Sequence, residues 1–108
     1  MNIEEIREYC LNLDQTEECF PFGEENLVFK TRGKIFAILD IGLDKSMNLK
    51  CDPELAMELR EKYDFVLPGY HMNKKHWNTV NINEFIDDSL LKEWIQHSYM
   101  LVNKSKKK

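Results

Sequence analysis

The chain holds no apolar run long enough to cross a bilayer. Its longest, Ile35-Phe-Ala-Ile-Leu39, is strand length and far below the ~18 residues of a membrane span. The N-terminus lacks the basic start and apolar stretch of a secretory signal, so the expected location is the cytoplasm and no membrane partner is expected. Its 3 cysteines, Cys10, Cys19 and Cys51, are an odd number with no Cys-x-x-Cys pair. That excludes a disulfide framework as the organising device and fits reduced, buried thiols. Only 4 glycines are present, and they form no phosphate-cradling loop, nucleophile elbow or dinucleotide fingerprint. His71 and His76 do not have the i,i+4 spacing of a helical zinc pair, and no Cys/His spacing resembles a zinc site. Glu24-Glu25 is a lone acidic pair that reads as a solvated connector. No enzyme, metal or cofactor is expected.

What remains is one domain spanning residues 1–108, a common size for a single core. The net charge of −4 conceals an asymmetry. Residues 1–29 carry eight acids against the single base Arg7, whereas residues 65–83 carry no acid at all. Bulk charge therefore argues against a nucleic-acid protein, for which a strongly basic domain is the usual footprint. A local basic segment survives that objection.

Periodicity supplies the elements. Asn2 followed by Glu5 is a capping box, and Ile3, Ile6, Cys10 and Leu13 form the apolar stripe of a first helix. Residues 16–26 read as a connector around Phe20-Pro-Phe-Gly23. Residues 27–32 and 34–40 read as a hairpin turning at Gly33, the second strand apolar on both faces, with Ile35, Ala37 and Leu39 on one and Phe36 and Ile38 on the other. Residues 46–51 alternate as a half-buried strand with Met47, Leu49 and Cys51 inward. Asp52-Pro53 opens a second helix with an N-cap and a proline at its first position. Extended segments at 65–72 and 76–82 follow, and Asp87 or Asp88 caps a terminal helix in which Ser98 is placed to bond back to the Trp94 carbonyl. The last residues, 103–108, read as a frayed basic tail. The simplest way to bury these stripes is a two-layer α+β domain, an antiparallel sheet with helices on one face.

Phe20-Pro-Phe-Gly23, residues 28–37, Asn48-Leu-Lys-Cys-Asp-Pro-Glu54, Pro68-Gly-Tyr-His71, Lys75-His-Trp-Asn-Thr79 and Ser98-Tyr99 together resemble the YjbR-like (MmcQ) family, in its order and spacing over nearly the whole chain. The resemblance implies a two-layer α+β fold of order α-β(3)-α-β(2)-α. It also implies a DNA-binding role, one suggested for this largely uncharacterised family through a wing-like arrangement of strands.

Residues 70–80 are where such a role would be carried. Lys74 and Lys75 suit phosphate contacts, Tyr70 and Trp77 suit stacking on bases, and Asn73 and Asn78 suit base edges. Strand alternation puts His76 and Asn78 on one face with Val80, and Trp77 and Thr79 on the other. The bland alternative is a hairpin whose tip lysines are merely solvated and whose Trp77 fills core. The expectation is a small non-catalytic binding module, DNA-binding as the resemblance suggests, with Lys50, Tyr70, His71, Lys74, Lys75, His76 and Trp77 as candidate contacts. Two alternatives stand beside it. One is a pocket for a small anionic metabolite formed by Phe22, Lys50, Tyr70, His71, Lys75 and Trp77; the other is a protein-interaction or self-association module using an uncovered sheet face.

Overall fold

The computed structural model describes residues 1–42, 45–69, 72–82 and 85–104. Three helices, α1 (Ile3–Leu11), α2 (Pro53–Lys62) and α3 (Asp88–Lys104), accompany six strands: β1 (Thr16–Cys19), β2 (Asn26–Thr31), β3 (Lys34–Asp40), β4 (Ser46–Lys50), β5 (Val66–Pro68) and β6 (Trp77–Asn81). The strands form one antiparallel sheet in the order β1-β2-β3-β4-β6-β5. This is the two-layer α+β architecture expected. It gains one strand before α2, because residues 16–19 of the supposed connector pair with β2 and only Phe20 onward is loop.

The local signals act as their chemistry dictates. Asn2 accepts the Glu5 N–H at 2.8 Å while Glu5 accepts the Asn2 N–H at 3.0 Å, closing the capping box of α1. Asp52 caps α2 ahead of Pro53. Asp87 takes the cap position of α3, its carbonyl accepting from Leu91 at 3.1 Å and its carboxylate from Ser89 at 3.4 Å. The β2–β3 turn is the two-residue loop Arg32-Gly33, with φ +53° and +81°, the paired positive values of a type I′ hairpin.

All three helices lie on one face of the sheet: α3 over β3 and β4, α2 over β5 and β6, α1 against β1. Between helices and sheet sits the core, with Leu27, Phe29, Ala37, Leu39, Met47, Leu49, Val66 and Val80 from strands and Ile6, Cys10, Leu91, Trp94, Ile95 and Val102 from helices. Burial pushes the Cys10 thiol up to about 12 and, with help from Asp52, the Cys51 thiol up to about 11, so both stay protonated at neutral pH. Among the described residues all three cysteines are free. No helix among them is long and apolar enough to cross a membrane.

Strand β3 departs from simple alternation. Phe29 faces Ala37 but Lys30 faces Ile35, so Phe36 is an extra residue in a β-bulge. Phe36 and Ala37 consequently both join the core, and Phe36 meets Tyr99 edge-on at 5.3 Å. Ile35 passes to the opposite face with Lys30. The expectation that Ile35 lines up with Ala37 and Leu39 is corrected by this bulge.

Ser98 heals the gap the bulge creates. Continuing the β3–β4 register would set Phe36 opposite Lys50. Instead the buried Ser98 hydroxyl accepts the Lys50 N–H at 2.9 Å and donates to the Phe36 carbonyl at 2.5 Å. The expected back-bond to Trp94 is thus replaced by a bond to the sheet, because two buried backbone groups there have no other way to pair.

Candidate functional site

Alternation places a second set of side chains on the face the helices leave open. Val28, Ile38, Asn48, Thr79 and Leu67 stand side by side across the sheet, flanked along the strands by Asn26, Asp40, Ser46 and Asn81 toward one end and by Lys30, Lys50 and Trp77 toward the other. This face is not bare. The loop after β1 and the segment before β6 fold over it, so that Phe22 and Met72 join Asn26, Ile38, Asp40, Ser46 and Asn48 around a cleft of about 420 Å³. That volume lies within the range of about 300–1,000 Å³ typical of small-molecule sites.

The floor of the cleft is set by hydrogen bonds. Thr79 donates its hydroxyl to Asn48 Oδ1 at 2.5 Å, which leaves the Asn48 amide nitrogen as the outward donor. Asp40 Oδ1 accepts the Gly42 N–H at 2.9 Å. A Cβ on Gly42 would stand 2.6 Å from Glu25 Oε1 and 3.3 Å from Asp40 Oδ1, so two carboxylates crowd this end. The face is therefore polarised along its strands, with Glu25 and Asp40 at one end and Lys50 at the other.

The segment singled out in the sequence is built mainly by backbone. Gly69 donates to the Trp77 carbonyl at 2.8 Å, and a Cβ on Gly69 would lie 2.7 Å from the Trp77 Cβ, so the approach needs glycine. Asn73 accepts the Lys75 N–H at 2.8 Å through its side chain and the His76 N–H at 3.2 Å through its carbonyl. Arg60 of α2 reaches up to this turn, donating to Asn78 Oδ1 at 2.7 Å, to the Trp77 carbonyl at 3.4 Å and to the Lys74 carbonyl. Sequence reading missed Arg60, since a single arginine late on an amphipathic helix looks solvated.

The candidate residues separate accordingly. Lys50 and Trp77 are cross-strand partners on the open face, both half-buried, and Trp77 stands outside the helix-side core. Lys75 is exposed at the tip, whereas Lys74 is occupied, its ammonium donating to the Gly69 carbonyl at 3.1 Å. His76 contributes backbone, accepting the Cys51 N–H at 2.8 Å. Tyr70 and His71 lie outside the described residues. Phe22 sits at the carboxylate end of the face and Lys50 at the other, so the expected pocket residues do not converge at one sheet end. Of the hairpin bases, Lys30 faces Glu17 across the ladder and Arg32 lies 3.9 Å from Asp14 while donating to Asn103. Arg32 is thus tied into its own fold.

This fold recurs in known proteins. The sequence model of the YjbR family matches residues 11–101. The chain belongs to the YjbR family. Among YjbR relatives, it is 41% identical to the uncharacterised protein YbdF of Escherichia coli O157:H7 over 100 residues, covering 92% of this chain and 82% of that one. Identity to the uncharacterised YjbR of E. coli K12 is 30% over 100 residues, covering 92% and 85%. The crystal structure of DR2400 from Deinococcus radiodurans, described as a DUF419 domain, superposes with a TM-score of 0.88 at 39% identity, over 98% of this chain and 80% of that one. The YjbR assignment thus accounts for fold and length but names no ligand.

Proposed function

We propose that this chain is a small non-catalytic binding module whose open sheet face holds a nucleic-acid strand, DNA in keeping with the sequence resemblance. The observation that carries this reading is the Lys50–Trp77 pair: a cation and a large aromatic side by side on the face opposite the helices, both half-buried, with exposed Lys75 on the turn beside them. A lysine that neutralises phosphate next to a ring that stacks on a base is the working unit of single-strand binding surfaces. Because Lys74 and Arg32 have partners within the fold, the available charge is reduced. Base contacts must then supply much of the affinity.

The test is a titration of full-length chain with single-stranded DNA at several salt concentrations. Two phosphate contacts give a log–log slope of about −1.4, from about −0.7 per neutralised phosphate. Substituting Lys50→Ala and Lys75→Ala together is expected to abolish that slope. A slope that persists in the double variant removes this surface from consideration.

The same cleft also favours a second reading, a binder of a small anionic metabolite, because its volume suits a small molecule and Lys50 lies two residues along β4 from Asn48. Stabilisation by a mononucleotide but not by a strand would select it.

A further inference from the structure

The cleft beside Phe22 and Met72 has a chemistry more specific than a general stacking surface, and no lysine is among its described lining residues. Among its described lining residues the charged group is Asp40, which as a carboxylate only accepts hydrogen bonds; Oδ1 already takes the Gly42 N–H, yet each carboxylate oxygen has a further lone pair. Its fixed donor is the Asn48 amide, aimed by the Thr79 hydroxyl. Asn48 pairs with Ile38 and Ser46 with Asp40, so Asp40 and Asn48 stand diagonally across β3 and β4, a separation of about 7–8 Å. Phe22 (59% exposed) and Met72 supply apolar lining beside this polar row, in a cleft of about 420 Å³.

We infer that this cleft takes one unpaired nucleobase, guanine in particular, with its edge on Asp40 and Asn48 and its ring against Phe22. Guanine alone among the common bases presents an acceptor, O6, beside two adjacent donors, N1–H and the N2 amino group. The two donors match a carboxylate that accepts twice, and O6 matches the Asn48 amide. Lys50, about 14 Å from Ser46 along β4 at about 3.4 Å per residue, offers the attached phosphate a cation at the far end of the face. The strand-binding reading proposed above is thereby given a base-reading site, on which its base preference rests.

The experiment uses isotope-labelled full-length chain and amide chemical shifts, titrated with guanosine, inosine, adenosine and GMP, and in parallel with single-stranded oligonucleotides carrying one guanine or an abasic position. Guanosine is expected to move Asn48, Ser46 and Phe22 signals and to bind at least tenfold more tightly than inosine, which lacks the N2 amino group. Asp40→Asn keeps an oxygen for the Gly42 N–H but removes the second acceptor, and is expected to erase that preference. Phe22→Ala should weaken all bases alike, and Lys50→Ala should weaken GMP without affecting guanosine. A guanine preference that survives Asp40→Asn, or guanosine shifts that map outside the cleft, overturns the inference. If oligonucleotides bind with a Lys50-dependent salt slope yet tolerate an abasic position, the base site fails while strand binding stands. If guanosine occupies the cleft but no oligonucleotide binds, strand binding fails and the base site stands as a site for free nucleosides or nucleotides.

Discussion

The two faces of this sheet are made by the same strands and follow opposite rules. On the helix side strands β2 to β6 contribute apolar residues that are almost wholly buried, and polar groups there such as Ser98 and Asn78 are bonded to backbone or to Arg60. On the open side the central positions Val28 and Ile38 are equally buried, but amides, a hydroxyl and a carboxylate stand near them, with Phe22 and Met72 beside these among the described residues. Burial alone does not separate a face that holds the fold together from a face that meets a ligand. What separates them is the residue types around the buried apolar positions, aliphatic and aromatic on one face and polar on the other.

The largest expected effect contrasts two phenylalanines. Phe36 is fully buried against Phe29 and Tyr99, so Phe36→Ala should cost about 3–5 kcal/mol of unfolding free energy, through lost transfer and an unfilled cavity. Phe22 is more than half exposed, and Phe22→Ala should stay within about 1 kcal/mol. Chemical denaturation of both variants measures the difference. Comparable losses would show that the Phe22 loop is part of the core, and the division between the faces would collapse.

A smaller effect probes the seam between them. Ser98→Ala leaves the Lys50 N–H and the Phe36 carbonyl without their shared partner in a buried position, a cost of about 2–3 kcal/mol. Hydrogen exchange at the Lys50 amide should accelerate beyond that global loss, since this bond fixes the strand end that presents the Lys50 side chain to the open face. If the variant unfolds at the wild-type denaturant concentration, β3 and β4 can close on each other and the hydroxyl is dispensable.

Much of this arrangement was legible in the sequence, and the remainder has identifiable physical reasons. Caps and turns are local, so Asn2, Asp52 and Gly33 announced themselves through their own side chains or the lack of one. Alternation correctly divided Trp77 and Thr79 from Asn78 and Val80. It failed at Phe36, because a bulge adds one residue without altering composition, and the apolar run around it fits either face. Strand β1 was hidden because Thr-Glu-Glu-Cys is short and acidic, and as an edge strand it is held by pairing with β2 and by one ion pair. The cleft was hidden for another reason: Asn26, Asp40, Ser46 and Asn48 come from three strands and look like the ordinary solvated positions of each. Only the sheet register brings them together.

That ion pair gives the smallest and most selective prediction. Arg7 of α1 donates twice to Glu18 of β1, at 2.7 and 2.5 Å, joining the first helix to the edge of the sheet. The hydrogen bond from Arg7 first, and its charge second, hold the Glu18 carboxyl below its ordinary value, against a partial opposing effect of burial. A carboxyl whose pKa is lower in the folded state stabilises the fold above its unfolded pKa of about 4.3 and loses that contribution as pH falls through the folded value. Wild type and Glu18→Gln should therefore differ most at neutral pH and converge under acid, with added salt narrowing the gap because the pair is partly exposed. Denaturation midpoints of wild type and Glu18→Gln across pH 3 to 7 decide the point. A gap of constant size over that range would mean that the Glu18 charge adds nothing to the tie between α1 and β1.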